Sequence, residues 1–189
     1  MLVGSNKSLD VFCDMDTDGG GWIVFQRRID ASVDFKRTFS EYEAGFGSLT
    51  GNLWLGLRSL HMLTNHNTHL RVDVTTSKNA TYYATYSQFY IDGAPRYIAH
   101  CRGYSGTAGD ALNSVSTINN MVFTTVDRDA GQYCCATDYH GGWWYNSCYG
   151  ANLNGQYGTP GSMSYIFIIW YQGFLLEEGS MKFVEMKLR

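Results

Sequence analysis

Alternation between apolar and polar positions is the clearest signal in the first half of the chain, and its period of two predicts β-strands. Aromatic and β-branched residues, which favour strands, are frequent in the same stretches. The predicted strands cover residues 11–15, 22–28, 69–75, 81–90, 96–101 and 181–188. The dipeptide Asp92-Gly93 is typical of a tight hairpin turn between two of them. Beyond residue 119 the periodicity fades, apart from an apolar run over 166–170.

Two short helical patterns lie between the predicted strands. Residues 40–43 are typical of a helix opening, and Gly45 or Gly47 follows as a stop signal. A second helix is predicted over 57–64, because Leu60 and Leu63 fall on one face. Short helices beside an antiparallel sheet indicate an α+β fold. The strand–helix–strand alternation of a doubly wound nucleotide-binding fold is missing from the pattern.

Composition limits the classes of function. A chain of 189 residues with 44% apolar and 16% charged residues is typical of one globular domain. The net charge of −3, without a run of Lys or Arg, does not provide the basic patch that nucleic-acid binding requires. The longest apolar run, residues 165–171, is far shorter than the roughly 20 residues of a membrane span. We therefore expect neither a nucleic-acid partner nor a membrane span.

The cysteines indicate an oxidising compartment. There are 5 of them, Cys134 and Cys135 are adjacent, and no pair has the spacing of a zinc site. A disulfide framework is therefore favoured, and disulfides are typical of secreted proteins. The sequons at Asn6 and Asn79 agree with secretion. Because no signal-peptide pattern opens the chain, we interpret it as a piece of a secreted, extracellular protein.

The stretch 127–165 has the composition of a binding region. It combines aromatic residues, glycines and cysteines without regular periodicity, so it offers ring faces and bent backbone to a ligand. Catalytic patterns are missing from the sequence: there is no Gly-x-Ser-x-Gly elbow, and no histidine has a paired nucleophile. The sequence therefore predicts a binding domain and not an enzyme.

Several motifs, in order, resemble one family. They are residues 13–15, 17–22, 24–28, 46–47, 53–56, 108–110, 143–145 with Cys148, 152–155, and 185–187 with Arg189. Together they resemble a fibrinogen C-terminal-like (fibrinogen-related) domain over nearly the whole chain, 1–189. The resemblance implies a central antiparallel sheet with short helices and a loop-rich C-terminal subdomain that binds calcium and a ligand. The family's preceding N-terminal segment is absent, so the N-terminal subdomain is expected to be truncated and Cys13 to lack its partner.

The resemblance also implies a calcium site. It places the family's carboxylate ligands at Asp127 and Asp129, and its carbonyl ligands at Gly131 and Tyr133. On spacing alone, two aspartates in one turn are a weak signal, because such pairs are common and usually only solvated. The sequence departs from the family here: the segment before Cys135 is shorter, and Cys134 replaces the usual Asn.

Disulfide pairing follows partly from the resemblance and partly by elimination. The family's bridge falls on Cys135 and Cys148. Cys101 and Cys134 are then expected to pair with each other. The alternatives are a free Cys101, or a bridge from Cys13 to one of these two.

In relatives that act as lectins, an aromatic pocket beside the calcium loop takes an acetyl group. The resemblance implies a non-proline cis peptide at Ser147–Cys148 that supplies backbone N–H donors. The implied pocket walls are Tyr139, Tyr149, Tyr165 and Ile166. Tyr149 departs from the family, which usually has His after the bridge cysteine, and Ile166 replaces a smaller residue.

The sequence therefore predicts a secreted pattern-recognition lectin of the ficolin/tachylectin-like branch, acting in innate immunity. Its expected partners are acetylated sugars such as N-acetylglucosamine, or bacterial cell-wall glycans. The alternative is a protein- or peptide-binding module like those of fibrinogen and of receptor ligands. Weak single-site binding becomes useful when several heads share one stalk. We expect oligomerisation to depend on an N-terminal region outside this sequence.

Overall fold

The structure is a computed structural model, and it describes residues 2–3, 7–129, 134–172, 175 and 178–189. Its strands are β1 (Leu2–Val3), β2 (Lys7–Ser8), β3 (Phe12–Asp14), β4 (Trp22–Arg28), β5 (Phe46–Gly47), β6 (Leu53–Trp54), β7 (Leu70–Thr75), β8 (Thr81–Ile91), β9 (Ala99–Gly106), β10 (Ala151–Asn152), β11 (Ile169–Trp170) and β12 (Phe183–Leu188). Its helices are α1 (Phe39–Ala44), α2 (Leu57–Leu63) and α3 (Cys135–Asp138), with a 3₁₀ turn at Thr17–Gly19.

One 8-stranded antiparallel sheet dominates the fold. Its order is β5-β6-β4-β12-β7-β8-β9, and β3 pairs with β4 beside that path. β12 lies between β4 and β7, where Met186 is opposite both Gln26 and Val72. Two small two-stranded sheets, β1-β2 and β10-β11, lie apart from it. The sheet and its short helices confirm the predicted α+β class.

The two predicted helices, α1 and α2, are confirmed to within one residue at each end, whereas α3 was not predicted. Thr38 caps α1: its hydroxyl accepts from the Glu41 N–H, and the Glu41 carboxylate accepts from the Thr38 N–H at 2.9 Å. This reciprocal pair satisfies backbone donors that a helix start leaves open. Gly45 ends α1 with a φ of 90°, a conformation that glycine adopts without steric cost. α2 buries Leu57 and Leu60, and Leu63, predicted on the same face as Leu60, is half-buried against the core.

A cluster of aromatic side chains runs through the core. The Phe25 and Trp54 rings lie 6.0 Å apart, Trp54 and Phe123 5.8 Å apart, and Phe123 and Trp144 5.1 Å apart. Phe25 comes from the centre of the sheet and Trp144 from the irregular C-terminal region, so one continuous cluster joins the two. Rings in such arrangements contribute beyond the area that they bury. Trp143 and Trp144 are buried, as expected for core residues.

One predicted connection is wrong. The Asp92-Gly93 signal and the predicted return strand over 96–101 imply a tight hairpin, but β9 begins at Ala99 and runs to Gly106. Residues 92–98 form a longer loop, in which the Asp92 N–H donates to the Ile98 carbonyl at 2.9 Å. Pairing of Ile91 with Ala99 then starts the ladder. Among the described residues, no helix is long and apolar enough to cross a membrane.

Candidate functional site

Helix α3 and one disulfide shape the irregular C-terminal region. Cys135, the first residue of α3, is bonded to Cys148, which confirms that predicted bridge. Tyr139 ends the helix, and its N–H donates to the Cys135 carbonyl at 2.9 Å. The helix therefore holds both the bridge and Tyr139, and the bridge fixes the loop around Cys148 beside them.

Three tyrosines meet at this bridge. The Tyr139 and Tyr149 rings lie edge to face, with centroids 5.0 Å apart. Tyr145 lies behind them, 6.5 Å from Tyr139 and 6.4 Å from Tyr149. Tyr145 is buried, whereas Tyr139 and Tyr149 are half-buried. The arrangement gives two partly open aromatic faces on a buried aromatic base.

Backbone donors lie beside these rings. The Ser147–Cys148 peptide is cis, as the family resemblance implies. The Cys148 carbonyl accepts from the Asn146 N–H at 2.6 Å. Among the described residues, the N–H groups of Cys148 and Tyr149 donate to no acceptor. Since unpaired backbone donors bind acceptors strongly, they are available to a ligand oxygen.

The predicted Tyr165 and Ile166 lie at the outer edge of the cluster. The Tyr149 hydroxyl donates to the Tyr165 carbonyl at 2.6 Å, while the Tyr165 side chain is 66% exposed. Ile166 is half-buried, and its carbonyl accepts from the Gln156 N–H. A cavity of about 350 Å³ adjoins this edge; its lining residues are Met163, Ser164, Tyr165, Ile169 and Tyr171.

The hydroxyl of Tyr149 is held in its neutral form. Its pKa lies above the ordinary value, chiefly because the ring is partly removed from water and secondly because of Tyr139, Tyr165 and Tyr171. Near neutral pH Tyr149 therefore presents an uncharged phenol ring. Such a surface suits a small neutral group with one apolar and one polar end.

A positioning residue that the sequence analysis missed is Asn152. Its Nδ2 donates to the Tyr139 carbonyl at 3.1 Å, and its Oδ1 accepts from the Tyr145 hydroxyl at 2.9 Å. One fully buried amide thus fixes both tyrosines. Asn152 belongs to the motif 152–155 that supports the family resemblance, and this motif is the sequence signal for its position.

Buried polar side chains of β4 hold the same loop from the sheet side. Gln26 donates to the Leu153 carbonyl at 2.9 Å, and Arg28 donates to the carbonyls of Leu153 and Gly155 at 3.1 and 2.7 Å. Asn154 in turn donates to the Gly142 carbonyl at 2.9 Å. Buried carbonyls need such partners. The site is therefore fastened to the central sheet through polar contacts.

The two predicted calcium carboxylates each use one oxygen to hold a helix. Asp127 Oδ1 accepts from the Phe39 N–H of α1 at 2.8 Å and from the Thr125 hydroxyl at 2.7 Å. Asp129 Oδ2 accepts from the N–H groups of Ala136 and Thr137, in α3, at 3.0 and 3.2 Å.

The other oxygen of each carboxylate, Asp127 Oδ2 and Asp129 Oδ1, meets no donor among the described residues. Carboxylate oxygens are the ligands that calcium prefers, so the chemistry of these two free oxygens suits the ion. The expected carbonyl ligands Gly131 and Tyr133 lie outside the described residues. Within the described part of the chain, no group of three or more His, Cys, Asp or Glu could hold a metal. Calcium stays a prediction that rests on these two carboxylates.

The predicted bond between Cys101 and Cys134 is wrong. Both thiols are free, as is Cys13. Cys101 is 1% exposed in β9 and faces the core, whereas Cys134 is exposed before α3. Burial raises the pKa of the Cys101 thiol, and the nearby charge of Asp110 raises it further. The pairing by elimination was wrong because the number of cysteines does not show which way the side chain of a strand residue points.

The sequence and fold match known proteins. The model of the C-terminal globular domain of fibrinogen beta and gamma chains matches residues 1–189. The chain belongs to the fibrinogen C-terminal domain family. Fibrinogen C domain-containing protein 1-A of Xenopus laevis is 46% identical over 195 residues, which cover 97% of this chain and 41% of that protein. The Homo sapiens fibrinogen C domain-containing protein 1 is 45% identical over 191 residues, covering 95% and 40%.

Solved structures show the same fibrinogen fold. The fibrinogen-like globe domain of human ANGPTL6 superposes with a TM-score of 0.90 at 34% identity, covering 99% of this chain and 85% of that one. Lamprey fibrin D-dimer, complexed with the peptide ligand Gly-His-Arg-Pro-amide, gives a TM-score of 0.82 at 32% identity, covering 94% and 63%. The chain spans less than half the length of the curated relatives named above. None of these names places it in the ficolin/tachylectin-like branch, which stays an expectation.

Proposed function

We propose that this fibrinogen C-terminal domain binds the acetyl group of acetylated sugars at the Tyr139–Tyr149 pair. The observation that carries the proposal is the combination of two half-buried phenol rings, 5.0 Å apart, with the unpaired N–H groups of Cys148 and Tyr149. An acetyl methyl packs against ring faces, and its carbonyl oxygen accepts from backbone N–H groups. Lectin activity in innate immunity, with microbial surface glycans as partners, is part of the same proposal.

Calcium has a structural role in this proposal. Asp127, Asp129 and the carbonyls of Gly131 and Tyr133 would hold it, and it would supply charge that fixes the loop. Asp129 already holds the first turn of α3, which carries Tyr139 and the cysteine bonded to Cys148. An ion at Asp129 therefore acts on the sugar site through α3 and not by contact with the sugar.

The direct test compares N-acetylglucosamine with glucosamine by isothermal titration calorimetry. We expect binding of the acetylated sugar alone, weakened by about tenfold or more in Tyr139→Ala and Tyr149→Ala, which corresponds to about 1.4 kcal/mol. Tyr90→Ala, which removes a half-buried tyrosine from β8, is the control and should bind like the parent protein. Equal binding of both sugars, or unchanged binding in both site variants, would refute the acetyl assignment.

A second candidate is peptide binding at the same loops. It is favoured by the match to lamprey fibrin D-dimer, whose structure contains Gly-His-Arg-Pro-amide. A peptide amine would need a cluster of carboxylates, and this argues against the second candidate. Asp138, which is exposed, is next to Tyr139 in the chain, but Gly142 and Tyr149 add no further charge. Titration of that peptide under the same conditions decides between the two. Saturable binding of the peptide without binding of the sugar would replace the first proposal by the second.

Secretion is proposed with the same function. The Cys135–Cys148 bond needs an oxidising compartment to persist, and such bonds are rare in the cytosol. Extracellular glycans would be met there. Glycan attached at Asn79 of protein recovered from culture medium, detected by mass spectrometry after enzymatic deglycosylation, would confirm passage through that compartment.

A further inference from the structure

A buried arginine opens onto a cavity away from the tyrosine pair. Arg28 is 1% exposed at the end of β4, and its guanidinium stacks on the Phe35 ring at 3.7 Å. A cavity of about 320 Å³ adjoins it. The lining residues with polar or charged side chains are Arg28, Asp34, Lys36, His140, Gln156 and Tyr157. Arg28 and Gln156 also hold the loop behind the proposed sugar site through carbonyls of Leu153, Gly155 and Ile166, but none of these lining residues forms a wall of that site.

The hydrogen bonds of Arg28 leave one edge of its guanidinium unused. Nη1 donates to the carbonyls of Leu153 and Gly155. Nε is buried without a partner, and Nη2 makes no hydrogen bond among the described residues. The Nε–Nη2 edge carries two parallel N–H donors, the fork that binds two oxygens of one oxyanion. Two donors that could bind an oxyanion are therefore unsatisfied, and Arg28 lines the cavity.

The charge of Arg28 also lacks a counter-ion. Among the described residues, no carboxylate oxygen lies within 4.0 Å of it. A buried charge without a partner is costly, and buried guanidinium groups are usually paired. Burial lowers the pKa of Arg28 to about 10, so the side chain stays cationic near neutral pH. An anion in the cavity would supply the missing charge.

Two side chains at the rim of the cavity, Lys36 and Asp34, add one positive and one negative charge. Lys36 is exposed, and its ammonium group has no carboxylate partner among the described residues. Asp34 is also exposed, and one of its oxygens accepts from the Lys36 N–H at 2.8 Å. With Arg28 inside, the lining carries two positive charges and one negative charge. Asp34 thus competes with an incoming anion, and Lys36 favours it.

We propose that the cavity between Arg28, Lys36 and His140 binds a small oxyanion, a sulfate or phosphate group, through the Nε–Nη2 edge of Arg28. The ligand enters past Lys36, which supplies a second positive charge. Gln156 and the Tyr157 edge offer polar contacts at the rim. Neither Tyr139 nor Tyr149 lines this cavity, so a ligand bound there leaves the Tyr139–Tyr149 pair free.

Nuclear magnetic resonance tests the site directly, because the Nε–H of a buried arginine gives its own signal. Sodium sulfate and sodium phosphate are titrated separately into the full chain, with sodium chloride at matched ionic strength as the reference. We expect a saturable shift of the Arg28 Nε–H signal with sulfate, phosphate or both, and none with chloride. The two arms tell which oxyanion is preferred.

Two rim variants give opposite predictions and leave Arg28 in place. Lys36→Ala should raise the apparent dissociation constant about threefold, and Asp34→Asn should lower it about threefold. This is the size of effect expected for one exposed charge. Arg102→Ala, at an exposed position of β9, is the matched control and should leave the constant unchanged. No saturable shift, the same shift with chloride, or equal weakening by Lys36→Ala and Arg102→Ala would overturn the proposal.

Discussion

The Tyr149 hydroxyl donates a hydrogen bond of 2.6 Å to the backbone carbonyl of Tyr165. This contact joins the loop after the Cys135–Cys148 bridge to the segment before β11. It fixes the Tyr149 ring while leaving the Tyr165 ring exposed. The proposed acetyl pocket therefore depends on a phenol hydroxyl that contacts protein and not ligand.

Replacement of Tyr149 by Phe separates these two roles. Tyr149→Phe keeps the ring that would contact the acetyl methyl but removes the contact with Tyr165. We expect the free energy of unfolding to fall by about 0.5–1.5 kcal/mol, the net value of one hydrogen bond. Affinity for N-acetylglucosamine should fall less than in Tyr149→Ala. Calorimetry measures the affinity and denaturant titration the free energy of unfolding. A loss of affinity as large as that of Tyr149→Ala would contradict the separation of ring and hydroxyl roles.

The hydroxyl of Tyr42 is predicted to matter more for stability. It is fully buried, donates to the Phe35 carbonyl at 2.7 Å and accepts from the Gly142 N–H at 3.0 Å. Tyr42→Phe leaves both buried groups without this partner, so we expect a loss of about 2–3 kcal/mol in a urea titration. Tyr90→Phe is the control, because its hydroxyl makes no hydrogen bond among the described residues. Equal stabilities of the two variants would show that the Tyr42 hydroxyl is not needed.

A cluster of charged side chains at the centre of the sheet predicts that the stability of the fold depends on pH. Lys187 lies 2.6 Å from Asp14, 2.8 Å from Asp73 and 3.1 Å from Glu185. Burial alone would raise the pKa of Asp14, but hydrogen bonds from Lys187 and Thr17 outweigh it and hold the pKa well below its ordinary value. A lowered pKa stabilises the fold above the unfolded value of about 3.9, and this stabilisation is lost as the pH falls below it.

Asp14→Asn measures that contribution. We expect the variant to be less stable than the parent protein by about 1.5–3 kcal/mol at pH 7, the size of a hydrogen bond to a charged group. The difference should shrink as the pH is lowered below about 4, because Asp14 then takes up a proton in the unfolded chain, whereas its lowered pKa keeps it ionised in the folded protein. Asp16→Asn, at an exposed position nearby, should show no such change. Unfolding titrations from pH 7 to pH 3 test this, and a difference independent of pH would contradict it.

Calcium should stabilise the domain if Asp127 and Asp129 bind it. At a free calcium concentration 100 times the dissociation constant, we expect a gain of about 2.7 kcal/mol over chelator in thermal unfolding. Asp129→Asn should abolish this gain and weaken sugar binding, because Asp129 also holds α3. Asp16→Asn should keep the full gain. Identical melting curves in calcium and in chelator would remove the ion from the proposed function.

The three free thiols should react in two classes. Cys13 and Cys134 are exposed and should be alkylated in the folded protein. Cys101 is buried, with a raised pKa, and should react only after unfolding. Cys135 and Cys148 should appear as one linked peptide pair in a non-reducing digest. A linked pair that contains Cys101 or Cys134 would contradict the structure.

Regular elements could be predicted from the sequence because their signals are local. β4 has the predicted bounds, Trp22–Arg28, and Gly45 ends α1 as its position indicates. Periodicity did not show that Gln26 and Arg28 are buried. Their polar groups are inside because they bind carbonyls of Leu153 and Gly155, more than one hundred residues away in the chain. No window of sequence contains both partners.

The candidate site could be located from the family resemblance and only partly from the residues. The resemblance places Tyr139 and Tyr149 in the pocket, and the structure does bring their rings together. Asn152, which fixes Tyr139 and Tyr145, was missed because a buried amide has no periodic signature. Cys101 and Cys134 were paired wrongly because the count of cysteines carries no information on side-chain direction.

The position of β12 has a consequence for how the domain is made. This strand follows β4 and β7 in the chain, yet it lies between them and pairs with both. While the chain is still being translated, β4 and β7 each have an unpaired edge, because β12, the strand that pairs with both, has not yet been made. Assembly of the central sheet must therefore wait until residues 183–188 have left the ribosome, and until then those edges are open to pairing with other strands.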